Sequence, residues 1–241
     1  MPQDRWAPRP VLAHERLVQG MKWDVVRDTF LLDESGDQAP ATDVETGSEG
    51  GDGGTGSGES VRREYLEHPG AVSVLALDEA ERVLLLRQYR HPTRHELWEL
   101  PAGLLDLADE EPVRAAAREL WEEVDLRAGR YDVLVDFLNS PGGSDEAQRV
   151  FLARDVEQVQ PEDRFTRSEE EAGIITTWVP LDEAVADVLA GRIQNPGAAI
   201  AVLAADVARR AAWSTLRPVD SPWPMHPARR PVPRGHDRPG T

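Results

Sequence analysis

The stretch from Pro101 to Leu126, PAGLLDLADEEPVRAAARELWEEVDL, constrains this chain more than any other. Its second half reads as one helix, and that helix carries Glu119, Glu122 and Glu123 at i, i+3 and i+4. Residues three and four apart share a helix face, so the three carboxylates stand together beside Ala115, Ala116, Leu120 and Val124. Like charges at this spacing destabilise a helix by about 0.2–0.5 kcal/mol per pair. Either the face is solvated or a positive group sits on it. Hard cations such as Mg2+ and Mn2+ take oxygen ligands and often bridge carboxylates to substrate phosphates. Helix spacing alone leaves both readings open.

Composition narrows the choice. The 241 residues suit one domain or a domain with an appendage, and 40% hydrophobic residues can build a core. A net charge of −17 argues against a broad basic face for a nucleic-acid backbone. An anionic small molecule can bind such a protein only where cations or local arginines reverse the sign. With no cysteine, disulfides, thiolate metal sites and cysteine nucleophiles are excluded together. The opening MPQDRWAPRPVLAHERL lacks an apolar secretory core, and no apolar run reaches the roughly 20 residues of a membrane span. A cytoplasmic protein that binds neither membrane nor nucleic acid is therefore expected.

Along the chain, residues 14–31 alternate well enough for one or two strands. Residues 33–60 form a Gly-, Ser- and acid-rich insertion with little to bury, which predicts a disordered loop. Strands are expected at VRREYLEH, 71–77, 82–90, 131–138, 148–154 and 174–181. A helix at DEAVADVLAGRI would start at an Asp182 cap and stop at Gly191, and a second would start at Asn195-Pro196 and run to about Trp213. The organisation expected is an N-terminal β region over 1–67, a main domain over 68–212 and a mobile Pro- and Arg-rich tail over 213–241. The pattern is α+β.

The acidic helix is part of a longer motif. Gly103 is followed by six residues and Glu110, then by seven residues and Arg118-Glu119-Leu120-x-Glu122-Glu123-x-x-Leu126. This resembles the Nudix box, the loop–helix signature of hydrolases acting on nucleoside diphosphates linked to another moiety. The spacing of six, together with RQYRHPTRHELWELPAGLLD, SPGGSDEAQRVFLA, EEAG and GRIQNPGAAIAVLAA, is similar to the bacterial ADP-ribose pyrophosphatase branch over about residues 12–212. One position departs: Asp125 stands where the box usually has the glycine that closes the helix in a left-handed conformation. Aspartate tolerates that conformation better than most residues.

The resemblance implies a Nudix α/β/α sandwich with a mixed sheet plus a small N-terminal antiparallel sheet. It implies metal-dependent cleavage of ADP-ribose to AMP and ribose 5-phosphate, with Mg2+ or Mn2+ as cofactor. Glu119, Glu122, Glu123 and the Ala102 carbonyl would be metal ligands, and Glu110 with Arg118 would brace the loop against the helix. Glu171 in SEEEAG aligns with the general base, with Glu170 as the near alternative and Glu122 contributing to the catalytic cluster. Arg90 would bind the adenosine diphosphate part of the substrate, and Glu146 would approach the terminal ribose. Arg63 and Glu64 would reach the adenine site of a partner subunit, because these enzymes are commonly homodimers with exchanged N-terminal strands. Trp23, Trp98 and Trp178 read as packing, and His14, His68, His91 and His95 as structural histidines without metal-ligand spacing. Two rivals stand beside this reading: a Nudix hydrolase of another nucleoside diphosphate derivative, and a ligand sensor that keeps the fold without catalysis.

Overall fold

A computed structural model of the chain describes residues 2–32, 59–107, 109–167 and 173–226. These fall into two compact units, one up to Glu67 and one from His68. The first is an antiparallel sheet of β1 (Val11–Val18), β2 (Asp24–Leu31) and β3 (Ser60–Glu67), in that order. Strand β3 already begins at Ser60, and Leu32 donates its N–H to the Glu59 carbonyl at 2.8 Å. The expected insertion thus ends earlier than residue 60, and its residues 33–58 lie outside those described.

The second unit contains β4 (Ala71–Ala76), β5 (Arg82–Arg90), β6 (His95–Glu99), β7 (Ala102–Leu104), α1 (Pro112–Val124), β8 (Leu126–Leu138), β9 (Ala147–Gln158), β10 (Ile175–Pro180), α2 (Leu181–Leu189) and α3 (Pro196–Arg210). A mixed sheet runs β7-β4-β9-β8, with β4 and β9 parallel and the other pairs antiparallel. A second, antiparallel sheet runs β10-β5-β6. All six residues of β4 are buried, as expected for a strand covered on both faces. Its side chains alternate between two cores. Val72, Val74 and Ala76 join Phe151, Ala153, Leu84 and Leu86 under α1. Leu75, with Val150 and Leu152, meets Ala198, Ala201, Val202 and Ala205 of α3. The period of two in β4, β5 and β9 thus makes the sandwich: helix α1 on one side, α2 and α3 on the other.

Local chemistry sets the helix ends. Pro112 occupies the first turn of α1, where no partner for its missing N–H is needed. Asn195 caps α3 by accepting from the Ala198 N–H at 3.0 Å, as expected. Asp182 does not cap α2; Pro180 holds that position, because Leu181 is buried and its N–H reaches the Glu81 carbonyl at 3.0 Å. Asp182 instead pairs with Arg209.

Residues 213–226 also differ from the mobile tail expected there. Trp213 and Leu216 pack on the α3 side of the core. Arg217 exchanges backbone bonds with Val133 at 2.8 and 3.1 Å. Arg149, itself buried, grips Asp136 at 2.7 and 2.9 Å, donates to the Ser221 and Pro222 carbonyls and lies 4.8 Å over the Trp223 ring. A buried arginine needs such a complete set of acceptors, and the segment supplies it. Residues 227–241 lie outside those described.

Candidate active site

Helix α1 turns Ala115, Ala116, Leu120 and Val124 into the core, and the same buried side carries Glu119 and Glu123. The two small alanines let the helix approach the sheet closely, so the carboxylates meet the edge strand β7 rather than open solvent. The Ala102 N–H donates to Glu123 Oε2 at 2.9 Å. The next residue, Gly103, leaves room for Glu119: a Cβ there would stand 1.9 Å from Glu119 Oε1 and 2.2 Å from Cδ. A side chain at the glycine that opens the motif would therefore have to displace a carboxylate of the helix that closes it.

Arg118 supplies the positive charge on this surface. Its Nε and Nη2 donate to Glu110 at 3.1 and 3.0 Å in a bidentate pair, and its Nη1 reaches Glu119 at 2.6 Å and Glu122 at 3.2 Å. The Glu110 bond, with the charges of Glu119 and Glu110, raises the guanidinium pKa above its ordinary value, against the cost of burial. Glu110 and Arg118 thus make the brace expected between loop and helix. The bridge from Arg118 to Glu119 and Glu122 was not anticipated, although Arg118 precedes Glu119 directly and lies four residues before Glu122.

Among the described residues no three acidic, histidine or cysteine side chains already converge as a ready set of metal ligands. The donor chemistry nevertheless fits a hard divalent cation. Glu119 and Glu123 are buried carboxylates, Glu122 is half-buried at the same turn, and Gly103 keeps a close approach to Glu119 open. Buried carboxylates need a cation, and in the chain alone Arg118 fills part of that need. A cleft of about 370 Å3 opens on the other side of α1, lined by Ala117, Arg118, Trp121, Arg127, Ala128 and Tyr131; of the acidic cluster and its brace it touches only Arg118.

The helix ends as the sequence suggests. Asp125 adopts φ 55°, ψ 39°, and its N–H reaches the Leu120 and Trp121 carbonyls. Its carboxylate meets Arg167 Nη2 at 2.6 Å, while Arg167 Nε donates to the Glu122 carbonyl at 2.8 Å. Arg167 was not singled out from sequence; a lone arginine ahead of three glutamates gives little signal.

The other expected site residues have partners of their own. Arg90, at the end of β5, forms a bidentate pair with buried Glu99 at 2.9 and 2.7 Å. Its Nε and Nη2 are committed there, so an anion would meet a guanidinium already fixed in orientation. Glu146 accepts from the Asn139 amide at 3.0 Å on the loop between β8 and β9. On that loop Asp145 accepts from the His68 N–H at 2.8 Å. In the N-terminal sheet, Glu64 pairs with Arg27 at 2.6 Å and Arg63 donates to the Arg62 carbonyl at 2.8 Å. Glu170 and Glu171 lie outside the described residues.

The comparisons with known proteins agree with this architecture. The NUDIX domain matches residues 67–199. The chain is 45% identical over 164 residues to the ADP-ribose pyrophosphatase of Mycobacterium tuberculosis (strain ATCC 25618 / H37Rv), covering 68% of this chain and 77% of that protein. It is 39% identical over 100 residues to the ADP-ribose pyrophosphatase of Bacillus subtilis (strain 168), covering 42% and 54% respectively. Among solved structures, an ADP compounds hydrolase superposes with a TM-score of 0.61 at 17% identity, over 87% of this chain and 98% of that one, which shows the shared fold. The chain belongs to the NUDIX family. Members of this family generally need a divalent metal.

Proposed function

We propose that the protein is a divalent-metal-dependent pyrophosphohydrolase that cleaves ADP-ribose to AMP and ribose 5-phosphate. The observation that carries this is the fit of Glu119 against Gly103, 1.9 Å from where a Cβ would stand, beside Glu123 on the Ala102 N–H. It supports reading the box as an assembled loop–helix unit over a solvated acidic stripe. Identity of 45% to an ADP-ribose pyrophosphatase supports the substrate.

In this reading Glu119, Glu122, Glu123 and the Ala102 carbonyl hold Mg2+ or Mn2+. When bound, such an ion offsets charge on the diphosphate oxygens and lowers the pKa of water. Glu171 accepts the proton of the attacking water. Arg90, oriented by Glu99, binds the adenosine diphosphate part, and Glu146 addresses the terminal ribose. Arg118 keeps Glu119 and Glu122 aligned from behind. The excess negative charge of the protein is compatible with an anionic substrate because cations held by these carboxylates would offset it.

The reading extends to assembly and location. Leu12, Val18, Met21 and Trp23 are exposed on or beside β1 and β2, with Met21 100% exposed. Such apolar side chains suit a homodimer with exchanged N-terminal strands, in which Arg63 and Glu64 reach the partner's adenine site. No described helix is long and apolar enough to cross a membrane, and a cytoplasmic location is proposed.

A substrate panel tests the function. ADP-ribose, ADP-glucose and a dinucleotide are each incubated with Mg2+ or EDTA and the products resolved. Metal-dependent AMP with the highest kcat/KM on ADP-ribose is expected. A clear preference for ADP-glucose would move the protein to another nucleoside diphosphate derivative, and tight ADP-ribose binding without turnover would make it a sensor.

A further inference from the structure

Asp125 poses an electrostatic problem that glycine would not. It is buried at the carboxyl end of α1, where the helix dipole is negative, and it follows Glu119, Glu122 and Glu123. A buried carboxylate there needs a cation. Arg167 supplies it as an ion pair, its Nη2 standing 2.6 Å from Oδ2 outside hydrogen-bonding geometry, and uses its Nε on the Glu122 carbonyl at 2.8 Å. The segment before Arg167 is fastened to the same helix. The Trp121 indole N–H donates to the Asp163 carbonyl at 2.9 Å, and the Trp121 and Phe165 rings meet edge-on at 5.5 Å. The Asp125 carbonyl takes bonds from the Gln158 amide and the Val159 N–H at 2.9 and 2.8 Å. Six contacts thus tie residues 158–167 to the end of the acidic helix.

We infer that Asp125 and Arg167 are a matched pair of positioning residues for the reaction proposed above, replacing a simple glycine stop. Asp125 ends the helix, and Arg167 holds its last turn, with Glu122 and Glu123, against the segment that leads toward Glu171 in the sequence. Neither touches substrate. The fork of a guanidinium is required, because one end must reach a carboxylate while the other reaches a backbone carbonyl.

The test uses the full-length chain with Arg167→Ala, Arg167→Lys and the double variant Asp125→Gly/Arg167→Ala. Thermal melts, steady-state kinetics with ADP-ribose, and Mn2+ titration without substrate are recorded for each. Arg167→Ala is expected to melt lower and to lose about tenfold in kcat and in Mn2+ affinity, the scale of an outer-shell partner, with KM little changed. Lysine is expected to restore part of the melting temperature but little of kcat. The double variant removes the uncompensated carboxylate and is expected to recover the melting temperature while kcat stays low. Recovery of kcat together with stability would overturn the inference, since Arg167 would then only neutralise Asp125. Unchanged kcat in folded Arg167→Ala would overturn it as well. If the wild-type chain released no AMP, the functional reading would fail by itself. The Mn2+ titration would then decide the pair, and an unaltered affinity in Arg167→Ala would end the inference.

Discussion

Gly103 and Glu119 occupy one space: the carboxylate of the second extends to within 1.9 Å of where the first would carry a Cβ. Glu119 is held there by Arg118 at 2.6 Å and is buried, so swinging aside would break that contact. Gly103→Ala must therefore displace a side chain whose aim matters. Overpacking of this kind costs about 1–3 kcal/mol of stability. The larger effect is expected on turnover, because a misplacement of about 1 Å can cost about 100-fold. Parallel melts and kcat measurements on this variant check the ordering of the two effects.

Glu123→Gln separates charge from packing. The amide oxygen can still accept the Ala102 N–H, so the fold is expected to survive with little change in melting temperature. Removing one of the crowded carboxylates even relieves repulsion of about 0.2–0.5 kcal/mol per like-charged pair. Turnover is expected to fall by more than the about 10- to 100-fold typical of outer-shell partners. Circular dichroism melts and single-turnover assays report the two quantities independently.

Arg118→Ala has the opposite character. It leaves Glu110, Glu119 and Glu122 without their shared guanidinium. Losing hydrogen bonds to charged groups in a mostly shielded site costs about 1.5–3 kcal/mol. A divalent cation then has more unbalanced charge to offset. The rise in melting temperature on adding Mg2+ is expected to be larger for Arg118→Ala than for the wild type, as linkage requires if the ion binds the folded cluster. Equal shifts would argue that the ion binds elsewhere.

His68 gives a pH signature. Burial lowers its pKa below the ordinary value of 6.5, against the opposing pull of the Glu146 and Asp145 charges. Its Nδ1 accepts the Gly70 N–H at 3.1 Å, which the neutral ring allows. Above pH 6.5 both folded and unfolded chains carry a neutral ring. Below it the unfolded chain binds a proton that the folded chain resists, so stability falls as pH drops from 6.5 toward the lower folded value. Asp78 acts in a lower window: burial alone would raise its pKa, but the Arg82 N–H and guanidinium and the Ala80 N–H bring it below 3.8, so its contribution is lost only beneath that value. Melts of the wild type and His68→Gln between about pH 7.5 and about pH 5.5 are expected to diverge, the variant showing the flatter profile.

Much of the site was legible because its signals are local. The i, i+3, i+4 glutamates follow from helix geometry, and the leading glycine and the left-handed position of Asp125 from the resemblance to the Nudix box. The apolar runs at 71–77 and 82–90 gave the central strands for the same reason. What escaped depends on contacts distant in sequence. The pairing of Arg90 with Glu99 requires the β5–β6 register, and Arg167 requires knowing which segment crosses the end of α1. Residues 213–226 looked like a tail because they run into the Pro- and Arg-rich C-terminus, yet Trp213, Leu216 and Trp223 find a buried arginine and a sheet face waiting. Strand β8 begins at Leu126, five residues before the expected start, since pairing with β9 overrides the weak propensity of Arg127, Gly129 and Arg130.

The central claim is that the glutamates of α1 are the metal platform for ADP-ribose hydrolysis. The most direct measurement is AMP release from ADP-ribose by wild type and Glu123→Gln across a Mg2+ titration, each with an EDTA control. The account predicts AMP from the wild type only when metal is present and almost none from a folded Glu123→Gln protein at any Mg2+ concentration. AMP release by Glu123→Gln within a few fold of wild type, or release that persists in EDTA, would contradict it.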